Sequence, residues 1–289
     1  MNTKTSLLVY AAIALLATST SARTLTQSTY TDADIYNFAL NLEYLEANFY
    51  HCAAYGTPIS NNNGGPDPTG CVIGNYDSAT LALAVELAGD EASHVLAIQA
   101  ALGSAAIAQP AINLTAFSAA ANAAFGTTLS PVFSYATANL TFLDAAFLLE
   151  DVGVTAYNGA APLITDTTLL GNAVGIGLVE AYHAGIIRKT LYDNRATLDQ
   201  YGIPVGTVID TISAARGMLS ASADSSMNSA DEGITSDTTG TETETIVPSG
   251  AYHIAFSRTP AEVLAIVYLG SPSTPGGFFP NGVNGNIQG

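Results

Sequence analysis

Basic residues are scarce in this chain. Only 7 of its 289 residues are Lys or Arg, against 24 Asp or Glu, and the formal net charge is −17. That balance repels phosphate backbones and anionic headgroups alike, so nucleic acid and membrane surfaces are set aside as partners. Cysteine is nearly absent too. Cys52 and Cys71 are the only pair, and they lack the CxxC spacing of a redox dithiol or zinc site. The Gly-x-Ser-x-Gly elbow, the phosphate-binding loop and HExxH are all missing, which removes the hydrolase, nucleotide and zinc-protease chemistries those motifs carry. After the N-terminus no apolar run reads as long enough for a bilayer crossing, which needs about 20 residues.

What is present begins with a secretory pattern. Lys4 supplies a positive end, residues 7–17 an apolar run, and Ser19, Thr20, Ser21 and Ala22 a small-residue cleavage region, so residues 1–22 read as a signal peptide and the mature chain starts near Arg23. In an oxidising compartment a lone close pair of cysteines forms a disulfide. Cys52–Cys71 would staple the intervening loop and contribute about 3 kcal/mol, mostly by restricting the unfolded chain. Asn113 and Asn139 each open an Asn-Leu-Thr sequon, a glycosylation acceptor on a eukaryotic secretory route.

Four long helices follow from periodicity and caps. The first spans about 33–55, opened by Thr31 with Asp34 three residues on, and stopped by Gly56 with Pro58 beyond. The second runs from Asp77, as N-cap, to about Gly103. The third is expected to start at Ser130 and Pro131 and to end at Asn158–Gly159. The fourth covers about 166–194, with Arg188, Lys189 and Arg195 opposing the dipole at its end, and with four internal glycines that imply close helix–helix approach. Two short hairpins joined by a long crossover, itself carrying a short helix near 117–125, make an all-α four-helix bundle over residues 23–200. Residues 201–289 form a C-terminal extension: a mobile, acidic, Ser/Thr-rich loop at about 218–247, a short docked helix opened by the capping box Thr259-Pro260-Ala261-Glu262, and a loop-rich tail whose Phe278 and Phe279 pack on the bundle.

The chemistry lies on the helix faces that should be buried. Glu91 and His94 are three residues apart on the second helix, and Glu180 and His183 on the fourth. That spacing places a carboxylate and an imidazole on one face. The other two helices each bring one inward glutamate, Glu43 and Glu150, each followed seven residues later by a tyrosine, Tyr50 and Tyr157. Four buried carboxylates cannot stay ionised without partners, whereas two divalent cations cancel them, and this ligand set belongs to dimetal carboxylate bundles. Glu46 competes with Glu43 as the first-helix ligand; Glu43 is preferred by its symmetry with Glu150. Asp90 either accepts the outward N–H of a histidine from the facing half or is a surface aspartate. Tyr50 and Tyr157 either hydrogen-bond the metal carboxylates or are core aromatics. His51 and His253 have no matching partners.

The runs Asn37 to Tyr50, Glu150 to Tyr157, Ala255 to Pro260 and Gly277 to Gly285 resemble those of the secreted ferritin-like proteins of plants, algae and fungi that include the plant desiccation-related proteins. The resemblance covers nearly the whole mature chain. It implies a ferritin-like bundle, secreted to the extracellular space or cell wall, linked to stress or desiccation, with no settled reaction. The leading expectation is an oxidoreductase or catalase-like scavenger. Iron or manganese is bridged by Glu91 and Glu180, and Glu43/His94 and Glu150/His183 are terminal ligands. Its partners are metal ions, peroxide or oxygen, and further copies of itself in a homo-oligomer. Metal sequestration without turnover, and a structural stress protein whose metal only stabilises the fold, are the alternatives.

Overall fold

A computed structural model describes residues 30–223, 231–237 and 242–288. The expected signal peptide and mature start lie outside the described residues. Seven helices occur among them: α1 (Asp32–Tyr55), α2 (Ser78–Leu102), α3 (Ala116–Phe125), α4 (Asn139–Ala160), α5 (Thr167–Asp193), α6 (Val205–Ala223) and α7 (Pro260–Val267). The strands β1 (Thr235–Asp237) and β2 (Glu242–Glu244) pair antiparallel.

The bundle is two hairpins, α1 with α2 and α4 with α5, linked by a crossover that carries α3. Local chemistry sets the helix ends. Thr31 Oγ1 accepts the Asp34 N–H while Asp34 Oδ2 accepts the Thr31 N–H, and Gly56 ends α1 in the left-handed region at φ 72°. Asp77 and Asp166 cap α2 and α5 through the N–H groups of Thr80 and of Thr168 and Leu169. The expected Thr259–Glu262 box opens α7. The Cys52–Cys71 disulfide ties the end of α1 to the loop that follows it, with Cα atoms 5.1 Å apart.

Helix α1 is buried on nearly every face, because α2, α4 and the C-terminal tail all pack on it. The tail is clamped by side-chain amides. Asn41 Nδ2 donates to the Asn284 carbonyl and Asn41 Oδ1 accepts the Asn284 N–H. Phe278 and Phe279 are fully buried, with Phe278 edge-on to Phe117 at 4.8 Å.

Several expectations are corrected. The third long helix starts at Asn139, not at Ser130–Pro131. Residues 131–138 are instead bound to the loop before α2: the Asn75 N–H donates to the Ala136 carbonyl, and the Tyr135 hydroxyl accepts the Val72 N–H and donates to the Gly70 carbonyl. Thr141 Oγ1 then accepts the Ala138 N–H and opens α4. The expected mobile loop at 218–247 is partly helical, since α6 runs to Ala223, and residues 231–237 and 242–247 pack on the bundle through buried polar contacts. Its remaining residues, 224–230 and 238–241, lie outside the described residues.

Of the α5 glycines only Gly177 marks a close approach, as a Cβ there would meet Tyr157 Cβ at 2.9 Å, whereas Gly171, Gly175 and Gly185 face open space. By length and composition α5 does reach what a membrane span requires, at a mean hydropathy of 1.2, contrary to the sequence reading. Its charged and imidazole face points into the bundle and its apolar stripe Val174, Leu178, Tyr182 and Ile186 points outward.

Candidate metal centre

Glu43, Glu91, Glu150 and Glu180 are each fully buried at 0% exposure, and His94 and His183 are buried beside them. Four helices supply them: α1 gives Glu43, α2 gives Glu91 and His94, α4 gives Glu150, and α5 gives Glu180 and His183. They converge in two groups. In one, single ligand atoms of Glu43, Glu91, His94 and Glu180 lie within 4.8 Å of one another; in the other, those of Glu91, Glu150, Glu180 and His183 do. Glu91 and Glu180 belong to both.

Nδ1 of His94 lies 3.3 Å from Glu43 Oε2, 3.2 Å from Glu91 Oε2 and 3.2 Å from Glu180 Oε1. Nδ1 of His183 lies 3.0 Å from Glu91 Oε1 and 3.5 Å from Glu150 Oε2. Several of these atoms approach closely without making a hydrogen bond: Glu43 Oε2, Glu91 Oε1, Glu150 Oε2, both Glu180 oxygens and His183 Nδ1 all lack a partner. Native interiors rarely leave polar atoms in that state. Atoms that point at a common centre rather than at each other fit cations, and carboxylate with imidazole is a donor set that iron and manganese accept. The donor set therefore fits the expected dimetal group.

The electrostatics agree. Burial pushes the Glu43 carboxyl up to about 7 against the pull of His94. Burial and the surrounding carboxylates hold Glu46 and Glu180 well above the usual range, and burial raises Glu150 despite its contact with His183. At Glu91 burial also opposes ionisation, but the adjacent imidazoles of His183 and His94 outweigh it and bring the group down to about 2. Burial disfavours the imidazolium at both histidines, yet the carboxylates outweigh it: His94 stands far above its ordinary value and His183 is raised to about 12. Two protonated rings are the positive charge the chain itself can supply. Divalent cations would supply more, leaving both rings neutral as ligands require.

Supporting groups cross between the halves of the bundle. The Tyr50 hydroxyl on α1 donates to Glu150 on α4, and the Tyr157 hydroxyl on α4 donates to Glu43 on α1. Asp90 Oδ2 lies 3.1 Å from His183 Nε2. Such a bond would fix the tautomer and turn the Nδ1 lone pair toward the centre. Glu46 falls in neither ligand group although it is buried; a Cβ on Gly153 would lie 3.4 Å from both Glu46 Oε1 and Glu180 Oε2, so this glycine leaves room for the two carboxyls. His51 Nδ1 sits 2.6 Å from the Thr57 carbonyl and His253 is exposed, both away from the centre. Asn113 Oδ1 accepts from Thr115, and the Asn139 amide pairs with Asp77.

Sequence reasoning missed a second buried charge cluster behind the centre. Arg188, read as a cation at the end of α5, is fully buried and donates to Asp151. Arg216, from the unforeseen helix α6, bridges Asp151 and Asp231. Arg258 donates to Asp231 as well. The only trace of this in the sequence is the apolar spacing of Val205, Val208, Ile209 and Ile212, which marks α6 as amphipathic.

A ferritin-like domain model matches residues 31–193. Among curated proteins, the ferritin-like catalase Nec2 of Nesocodon mauritianus is 32% identical over 269 residues, covering 89% of this chain and 84% of that protein. The desiccation-related protein PCC13-62 of Craterostigma plantagineum is 34% identical over 197 residues, covering 65% and 62%. No solved structure matches the chain.

Proposed function

The chain belongs to the ferritin-like domain family, and we propose that it is a secreted dimetal oxidoreductase that decomposes hydrogen peroxide. The observation that carries this reading is the set of buried Glu and His atoms that lack partners and face one another across four helices. A purely structural bundle gains nothing from four buried carboxylates, each of which costs several kcal/mol without a counter-ion. The similarity to a protein named a catalase supports the reaction class, and the similarity to a desiccation-related protein supports a setting of water stress.

Six residues would hold the ions: Glu43, Glu91, His94 and Glu180 form one ligand group, and Glu91, Glu150, Glu180 and His183 the other. Iron or manganese bound there would supply reversible one-electron redox chemistry. In balance, two hydrogen peroxide molecules become two waters and one dioxygen, and the two protons lost by the first are taken up by the second.

The protein's part is to place ligands and to hold protons. Tyr50 and Tyr157 pin the terminal carboxylates from the opposite helix, and Asp90 holds His183 by its outer nitrogen. Glu46 is buried beside Glu180, and burial with the surrounding carboxylates holds its carboxyl well above the usual range, so it could hold a proton for the reaction. The surrounding helices exclude bulk water from the carboxylates.

The test is reconstitution of the purified protein with manganese or with iron, followed by oxygen evolution from peroxide. Turnover with either metal supports the proposal. Stoichiometric metal uptake with no oxygen evolved contradicts it and assigns the protein to metal storage.

A further inference from the structure

A second cavity, remote from the metal ligands, lies between α3, α4, α6 and α7. Its volume is about 300 Å³ and none of the six ligand residues lines it. That volume is at the lower end of the range typical of small-molecule pockets, roughly 300–1,000 Å³. Phe117, Ala121, Leu148, Ile212 and Leu219 form an apolar wall, and Met218, which also lines it, is 67% exposed and marks where the cavity meets the surface.

Two of the polar residues that line the cavity carry a buried atom without a hydrogen-bond partner. Asp144 is 3% exposed, and its Oδ1 has no hydrogen-bond partner. Arg216 is 1% exposed; its Nη1 and Nη2 are engaged by the Phe147 carbonyl, Asp151 and Asp231, but its Nε has no partner. A buried polar atom without a partner destabilises the fold, so one that lines a cavity marks where a ligand would make the missing bond.

The charges around the cavity choose the ligand. An anion would meet Asp144 and Asp199, and a cation would meet Arg216. A neutral group that both gives and accepts a hydrogen bond meets neither penalty, and a hydroxyl is the smallest such group. We propose that this cavity binds a small, uncharged, mainly apolar alcohol or phenol, with its hydroxyl bonded to Asp144. Burial and the nearby Asp199 raise the Asp144 carboxyl well above its usual range.

The experiment uses the full-length, metal-loaded protein and three probes that share one ring system: naphthol, naphthalene and naphthoate, titrated by fluorescence and calorimetry. Naphthol should bind best. In Asp144→Leu its affinity should fall about tenfold, as loss of one hydrogen bond implies, while naphthalene binds no more weakly and bound metal is unchanged. The same variant should melt at a higher temperature than the wild type, because an unsatisfied carboxyl has been replaced by an apolar side chain. Ala121→Phe, which fills the cavity and keeps Asp144, should abolish binding of all three. The proposal is overturned if the wild type binds none of the probes, if naphthoate is preferred, or if Asp144→Leu leaves naphthol affinity intact.

Discussion

Glu150 and Asp151 are neighbours on α4, and both are buried, yet they face two clusters that solve the same electrostatic problem in different ways. Asp151 faces Arg188 and Arg216, and Asp231 completes the group with Arg216 and Arg258. The guanidinium groups there spend further N–H bonds on the carbonyls of Glu232 and Thr245 and on the Ser220 and Thr155 hydroxyls. Three guanidinium groups face two carboxylates, so neither carboxylate lacks a counter-charge, and hydrogen bonds are nearly saturated. Glu150 faces Glu91, Glu180 and His183, where carboxylate oxygens lack partners. Buried charges are tolerated when paired and hydrogen-bonded, so the arginine cluster is complete as it stands, whereas the glutamate cluster asks for cations from outside. The first locks the C-terminal extension to the bundle; the second is the candidate metal centre.

The largest effect should come from breaking the complete cluster. Arg216→Leu removes the guanidinium that bridges Asp151 and Asp231, leaving each with one arginine and the Phe147 carbonyl without its donor, and should cost about 3–5 kcal/mol in thermal or denaturant unfolding, with metal stoichiometry unchanged in whatever remains folded. An equal loss of metal would show that the two clusters are not separate devices.

The opposite sign is expected at the glutamate cluster. Glu180→Met removes a buried carboxylate that has no partner of its own, so the metal-free protein should become more stable by about 1–3 kcal/mol while its capacity for metal is lost. A destabilised metal-free variant would mean that the carboxylates are already satisfied.

A pH series separates the two further. Glu43, Glu46, Glu150 and Glu180 have raised values when folded, so the folded, metal-free chain keeps protons that the unfolded chain releases above about pH 4.5. Its stability should therefore fall as pH rises from about pH 5 to about pH 7, and the raised histidines continue the fall above their ordinary value of 6.5. Glu91 and Asp231 have lowered values, so their contributions are lost only on acidification below the ordinary carboxylate range. Metal must displace protons to bind, so the metal-loaded form should gain on the metal-free form over the same interval. Melting curves with and without chelator would show diverging lines; parallel lines would count against coupled ligands.

The smallest effect is at the rim. Asp90→Asn should weaken metal affinity by about tenfold, as loss of an outer partner to a ligating histidine does, with little change in the stability of the metal-free chain. Competition with a chelator of known affinity measures it.

How much of this was legible in the sequence follows from the same contrast. The glutamate cluster announces itself, because carboxylates on apolar stripes at three-residue spacing are anomalous on each helix, and the anomaly repeats across both hairpins. The caps of α1, α2, α5 and α7 are equally local, and the structure shows them where Thr31, Asp77, Asp166 and Thr259 imply. The arginine cluster is silent, since an arginine near a helix end looks solvated until Asp231, far along the chain in a Ser/Thr-rich stretch, is brought to it. Ser130–Pro131 misled because a strong local start signal lost to the tertiary bonds that hold residues 131–138 against the loop before α2. The choice of Glu43 over Glu46 rested on symmetry with Glu150, and the geometry groups Glu43 with the other ligand atoms.

Whether metal completes the glutamate cluster is decided by elemental analysis of the protein isolated from its natural source, with a Glu91→Ala/Glu180→Ala variant as control. About two iron or manganese ions per chain are expected, one for each ligand group, lost together in the variant. Native protein free of both metals, or a variant that keeps them, would contradict that expectation.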